Sequence, residues 1–397
     1  MLTVLHTADW HIGQNFYGYD RRDEHLYFFH WLKRQIREQR ADVLLVAGDI
    51  FDTPNPSAES QRIYYRFLHE INMENPELQT IIIAGNHDSA SRLEAPNPLL
   101  EDMNITVKGL VKRMQNGNIN FRNLLVPITK GGETVAWCIA VPYLRQGDYP
   151  LSESYSESIG LMYRALYAEL EKLRTPGQAL IVMGHLQAKD AQLSDKDTSE
   201  RTVIGGLECV PAEIFHADDI GYVALGHLHR CQRVAGYEKI QYAGSPLPMS
   251  FVEKKYKQGI NLLKFDGSRL ENIERIRFDP PVGLLSLSPE PEPLGNVLYR
   301  IARLPDGEVR FSSPYLEIKI LLTEPEPSIR HHIETALKGK SVKLACTTSH
   351  RFVSGENDLK TVEYSDLKKI DPLEIAQIVY RNRYNYEMPD NIKSLLQ

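Results

Sequence analysis

The fold turns on residues 41–52, ADVLLVAGDIFD. Its apolar run, 43–47, is too short for a buried helix and does not alternate, so it reads as a strand covered on both faces. It then stops abruptly at Gly-Asp. Two neighbours have the same form: LTVLHTADWH (2–11) and QTIIIAGNHDS (79–89) are apolar runs with polar ends. Between the three lie RDEHLYFFHWLKRQIREQ (22–39) and SAESQRIYYRFLHEIN (57–72), both with apolar residues at helical spacing, the second with Ser57 as an N-cap. The order β-α-β-α-β predicts a mostly parallel sheet covered by helices, with the polar strand ends gathered at one carboxyl edge.

Further along, ITVKGL (105–110), INFRNLLVPI (119–128) and TVAWCIAVPYL (134–144) read as strands of a second sheet, followed by a helix near 157–173. ALIVMGH (179–185) and IGYVALGHLH (220–229) are strands ending in histidine, and the polar segment 187–207 between them reads as an active-site loop. After FDPPVG (278–283) the pattern restarts as a small α/β module, and the tail carries two short helical stretches, the first opened by Pro372.

The strand ends collect one kind of chemistry. Asp9 and His11 come from DWH, Asp49 from GDIFD, Asn86 and His87 from GNHD, His185 from GH, and His227 and His229 from GHLH. Alternation along a strand turns the last two histidines to one side. The set suits two divalent ions. Asp9, His11 and His229 can hold one, Asn86, His185 and His227 the other, and Asp49 can bridge them. Nitrogen and oxygen ligands without thiolate favour Mn²⁺ or Fe²⁺ and permit Zn²⁺. Two ions about 3.5–4 Å apart can clamp a phosphate and activate a water. His87, left outside the ligand set, suits proton donation to the leaving oxygen, with Asp88 to orient it. Glycines precede four of the ligands, at 48, 85, 184 and 226. Taken singly, each motif also has a bland reading as a turn or surface feature, and His25, His30, His69, His331 and His332 read as surface or packing residues.

The bulk composition narrows the classes. The 397 residues exceed one small core, and no apolar run reaches the length of a membrane span. The four cysteines form no CxxC, against a zinc knuckle or a disulfide framework. MLTVLHTADWH lacks a secretory signal, so a cytoplasmic chain is expected. The net charge of −6 argues against a general polyanion binder, although bound cations would alter the field at a phosphate site. Arg145, Lys189, Arg230 and Lys254, in loops or near the motifs, are the candidates for contacts to substrate phosphates. Trp10 and Phe16 read as packing.

In this order, D-x-H, G-D-x-x-D, G-N-H-D, G-H and G-H-x-H resemble the calcineurin-like metallophosphoesterase superfamily, over residues 1 to about 275. The wording around the motifs, LHTADWHIGQNFYG, LLVAGDIFDTPNP, AGNHDSASRL, YVALGHLHR and YAGSPLPMSF, is similar to the bacterial branch of the DNA double-strand-break nuclease family. The resemblance implies a four-layer α/β fold, two β-sheets flanked by helices, with a small α/β capping domain and C-terminal helices. The boundaries expected are 1–277 for the nuclease domain, 280–352 for a DNA-binding cap and 366–397 for a helical segment. It also implies two Mn²⁺ ions on the ligands named above, cleavage of DNA ends and hairpins in repair, replication and recombination, and exonuclease and endonuclease activity. Its expected partners are DNA and an SMC-like ATPase, with a homodimer inside a heterotetramer. Leu373, Ile375, Ile378 and Val379 are the expected contacts on the ATPase coiled coil. One position departs from the archaeal and eukaryotic relatives, which carry His where this chain has Asp52, so a role resting on that His does not transfer. A phosphodiesterase for small substrates on the same scaffold, and a scaffold without catalysis, are the competing readings. The second would have lost ligands, and none is missing.

Overall fold

A computed structural model describes residues 1–189, 191, 209–215, 219–322 and 328–351, with single positions 380, 389 and 393. Met1–His350 forms one compact unit and Arg351–Gln397 a second. The segment 366–397, expected to be helical and to carry Leu373, Ile375, Ile378 and Val379, lies outside the described residues apart from those single positions, as does most of the segment 187–207.

The chain opens with β1 (Leu2–Thr7), the hairpin β2 (Asn15–Phe16) and β3 (Tyr19–Asp20), and helix α1 (Arg22–Gln39). Then come β4 (Val43–Ala47), α2 (Ala58–Glu74), β5 (Gln79–Ile83), the short helices α3 (Ala90–Glu94) and α4 (Asn97–Leu100), and β6 (Ile105–Lys108). Every residue of β4 and β5 is buried, which is why neither alternates. Ser57 caps α2 by accepting the Ser60 amide at 3.1 Å. The second half brings β7 (Leu125–Lys130), β8 (Glu133–Ala140), α5 (Tyr155–Leu170), β9 (Ala179–His185), β10 (Tyr222–Gly226), β11 (Gln232–Val234), β12 (Tyr237–Tyr242), β13 (Gly259–Asp266) and β14 (Arg269–Arg277).

Two six-stranded sheets result, ordered β14-β13-β1-β4-β5-β6 and β11-β12-β10-β9-β8-β7. One core lies between the first sheet and helices α1 and α2, with Phe28, Phe67 and Leu68. A second fills the space between the sheets, where Val4, Leu45, Ile81 and Phe265 meet Ile181 and Tyr222. A third lies under α5, with Met162 and Leu166. This is the helix–sheet–sheet–helix layering that the resemblance implied. One strand differs from expectation: residues 105–108 extend the first sheet, as β6 pairs parallel with β5. Ile105 and Val107 join the first core, so the covering helices claim this strand.

After β14 follow β15 (Leu284–Ser286), β16 (Glu292–Pro293), α6 (Leu294–Ala302), β17 (Tyr315–Leu322), α7 (Ile329–Ala336) and β18 (Lys343–Arg351). Their small sheet has its own core of Val297, Leu316, Ile318 and Ile333. A further cluster, Phe16, Phe251, Val282 and Tyr315, joins it to the larger part.

Candidate metal centre

The parallel strands β1, β4 and β5 of one sheet, and β9 and β10 of the other, end at the same place. The chain turns there through unusual backbone angles: φ is positive at Asp9 (53°), His11 (47°), Asp49 (49°) and His227 (103°). Backbone bonds hold the turns, from Asp9 N to Gly48 O and from His11 N to Asp49 O, each 3.0 Å. Of the four glycines before ligands, only Gly48 is left-handed (φ 89°), and a Cβ there would strike the His185 imidazole. Gly226 serves close approach instead, its Cα lying against the Ala47 carbonyl of the other sheet.

Two donor sets form around Asp49. In the first, Asn86 Oδ1 lies 3.0 Å from both His185 Nε2 and His227 Nδ1, and Asp49 Oδ2 lies 3.3 Å from His185 Nε2. His185 Nδ1 donates to the Ala47 carbonyl at 2.8 Å, which turns Nε2 toward the cluster. In the second set, Asp9, His11 and Asp49 bring ligand atoms within 4.8 Å of one another, and the His229 ring stands 5.1 Å from that of His11. Asp9 Oδ2 and His11 Nε2 are buried with no hydrogen-bond partner. A buried carboxylate oxygen without a donor is costly, and a divalent cation would satisfy it. The residues therefore fit a metal pair.

The electrostatics agree. Burial works against charge on His185, but the Asp49 carboxylate prevails and raises the imidazole to about 9. Burial pushes Asp49 up, but His185, His11 and His87 together outweigh it and hold the carboxylate well below its usual range. Burial lifts Asp9 to about 7 against the pull of His185 and His229. Burial and the His185 charge push His227 down to about 3. Without a cation the Asp49 carboxylate is thus offset by the His185 imidazolium and Asp9 is inclined to keep its proton, so a bound cation would displace both protons.

His87 is half-buried at the margin. Its amide donates to Asp49 Oδ1 and its Nδ1 to the Asp52 carbonyl, each at 2.8 Å. The oriented imidazole is thus held by Asp52, not by Asp88. Asp88 is buried and accepts from the amides of Ile50 (3.1 Å), Phe51 (3.0 Å) and Gly85 (2.8 Å). It pins GDIFD to GNHD, because a buried carboxylate seeks the nearest amide donors. The Asp52 carboxylate lies 3.3 Å from His11 Nδ1.

Glu253 escaped the sequence reading. It is fully buried and its Oε1 stands 3.0 Å from His229 Nδ1. The one signal for it was its place as the sole acidic residue in YAGSPLPMSFVE (242–253). His25, read as surface or packing, is buried and bonds the Trp10 carbonyl at 2.9 Å, fixing the DWH turn. Trp10 and Phe16 are buried packing residues. The four DNA candidates are all exposed. Arg145 donates to the Asp88 carbonyl at 3.2 Å and lies over Tyr143, beside the GNHD loop. Arg230 lies over Tyr256 next to His229. Lys254 sits on the turn Phe251–Lys255, and the Lys189 backbone pairs with Val210.

Comparison with known proteins agrees with this geometry. Residues 2–231 match the calcineurin-like phosphoesterase family, and residues 280–384 match the type 5 capsule protein repressor C-terminal domain. The chain is 35% identical over 362 residues to the SbcD component of the nuclease SbcCD from Rhodobacter capsulatus, covering 88% of each. It is 32% identical over 286 residues to the Escherichia coli K12 protein of that name, covering 69% of this chain and 68% of the relative. The Bacillus subtilis protein of that name is 29% identical over 270 residues, 66% of each. With its ligand-bearing strand ends and these relatives, the chain belongs to the calcineurin-like phosphoesterase family, and within it to the SbcD nucleases.

Proposed function

We propose that this chain hydrolyses DNA phosphodiester bonds at ends and hairpins with two divalent cations, Mn²⁺ foremost, alongside an SMC-like ATPase of the SbcC kind. The observation that carries the reading is Asp49, whose carboxylate belongs to both donor sets. Asp9, His11 and His229 would hold one ion and Asn86, His185 and His227 the other, with Asp49 offering an oxygen to each. Such a pair neutralises phosphate charge and makes water a usable nucleophile near neutral pH. His87, tied to the Asp52 carbonyl through Nδ1, presents Nε2 as proton donor to the leaving oxygen. Asp88 holds the two loops in register. Arg145 is supported as a DNA phosphate contact by its bond to the Asp88 carbonyl, ahead of Arg230, Lys189 and Lys254. The module 280–352 caps the site against duplex DNA. Leu373, Ile375, Ile378 and Val379 in the 366–397 segment bind the ATPase, within a cytoplasmic heterotetramer built on a dimer of this chain.

The test is an end-labelled duplex incubated with Mn²⁺ or with chelator, beside Asp49→Ala. Degradation should need Mn²⁺ and fall at least about a thousandfold in the variant. Wild-type activity in Asp49→Ala would sink the two-metal reading. Hydrolysis of a small phosphodiester with DNA untouched, even after the ATPase is added, would favour a small substrate.

A further inference from the structure

Glu253 opens a path that leads away from the metal centre. Its Oε2 accepts the Met249 amide at 2.9 Å. The other end of that same peptide group, the Pro248 carbonyl, accepts from Arg21 Nη1 at 2.6 Å. Glu24 clamps Arg21 with two bonds, Nε to Oε1 at 3.0 Å and Nη2 to Oε2 at 2.9 Å. Glu24 Oε1 also accepts the Tyr315 hydroxyl at 2.8 Å. Tyr315 stands on β17, the strand that organises the small C-terminal sheet. Arg21, Glu24, Glu253 and Tyr315 are all buried.

Bonds in such a series polarise one another in a low-dielectric interior. Donation by the Arg21 guanidinium draws charge from the Pro248 carbonyl, so the Met249 amide becomes a stronger donor to Glu253. Glu253 in turn asks for a proton on His229 Nδ1, which leaves Nε2 as the ring's ligand atom. Phe251, on the same turn as Glu253, packs with Phe16, Val282 and Tyr315. The turn is therefore gripped by the small sheet through apolar contact as well.

We infer that Glu253 is a positioning residue for the metal ligand His229, held in register from the C-terminal module through Tyr315, Glu24 and Arg21. The inference rests on the ligand role proposed above for His229. Its consequence is asymmetric: a shift of the module reaches the site of Asp9, His11 and His229 and spares the site of Asn86, His185 and His227.

Titration of the full chain with Mn²⁺, without DNA, tests it. The unmodified chain should show two binding events, and His229→Ala should lose one. Glu253→Gln keeps the size of the side chain but cannot accept at both ends. It should weaken that same event about 10- to 100-fold and leave the other unchanged. Tyr315→Phe, which removes one oxygen far from the metals, should weaken it about two- to tenfold. In the double variant, Tyr315→Phe should add nothing to Glu253→Gln. An unchanged Tyr315→Phe variant, or full additivity, overturns the relay. Equal weakening of both events by Glu253→Gln reduces Glu253 to a structural residue. Should Glu253→Gln fail to fold, Tyr315→Phe alone decides through its effect on one event or neither. An unmodified chain that binds no Mn²⁺, or an unaltered His229→Ala variant, strikes the metal reading instead.

Discussion

Asp9, His11, Asp49 and His227 share left-handed backbone angles, a conformation that costs a non-glycine residue of order 1–3 kcal/mol. The surrounding bonds hold all four in it, and each is a candidate ligand. The same turns set His87 apart: its backbone bonds Asp49 while its half-buried ring lies edge-on to His11 and is tied to Asp52. His87→Ala should therefore keep both Mn²⁺ events in a titration and lose turnover about 10²- to 10⁴-fold in the cleavage assay. Loss of a metal event would give His87 a ligand's role instead. The residue types were legible because few ionisable groups stand at those turns. The roles of Asp88, Asp52 and Glu253 were not, since each depends on which amide or imidazole the folded chain brings beside it.

At the scale of elements, the turn between β4 and Asp49 is a tight joint. Gly48 is left-handed, and its Cα faces the His185 ring. Gly48→Ala should cost about 1–2 kcal/mol from backbone strain alone. It should also displace His185, seen as a lower unfolding temperature together with weakened Mn²⁺ binding. Normal stability with full binding would show that the turn tolerates a side chain. Strand type was readable where the run was short and wholly apolar, as in β4 and β5. The sheet to which β6 belongs was not readable, because its Ile105–Val107 alternation fits either sheet and only packing under the helices decides.

At the scale of the whole molecule, burial of histidines ties stability to pH. Burial, aided by Arg275, takes His6 from 6.5 to about 3, and burial, aided by Arg21, takes His25 from 6.5 to about 4. Both stay neutral in the folded chain where unfolded imidazoles take up protons. The contribution of these two rings is therefore full above pH 6.5 and falls between 6.5 and 4, by about 1.4 kcal/mol per pH unit for each. Urea midpoints across that window will measure the slope, and His6→Phe should make it shallower. A slope unchanged by His6→Phe would mean that the His6 ring does not stay neutral. The C-terminal segment offers a separate test. Deleting 366–397 should leave Mn²⁺-dependent cleavage by the isolated chain intact and abolish capture of the ATPase. Loss of folding would show that the segment completes the core.

The sequence by itself determined the order of strands and helices, the two-sheet class and the set of residues at the strand ends. Those follow from local causes: apolar periodicity, caps, and polar residues stopping apolar runs. Tertiary structure alone decided that Asp88 staples loops and that a carboxylate at 253 faces His229. Such pairings join residues that are far apart in the chain. They are set by the close packing of two twisted sheets, for which no local pattern carries a signal.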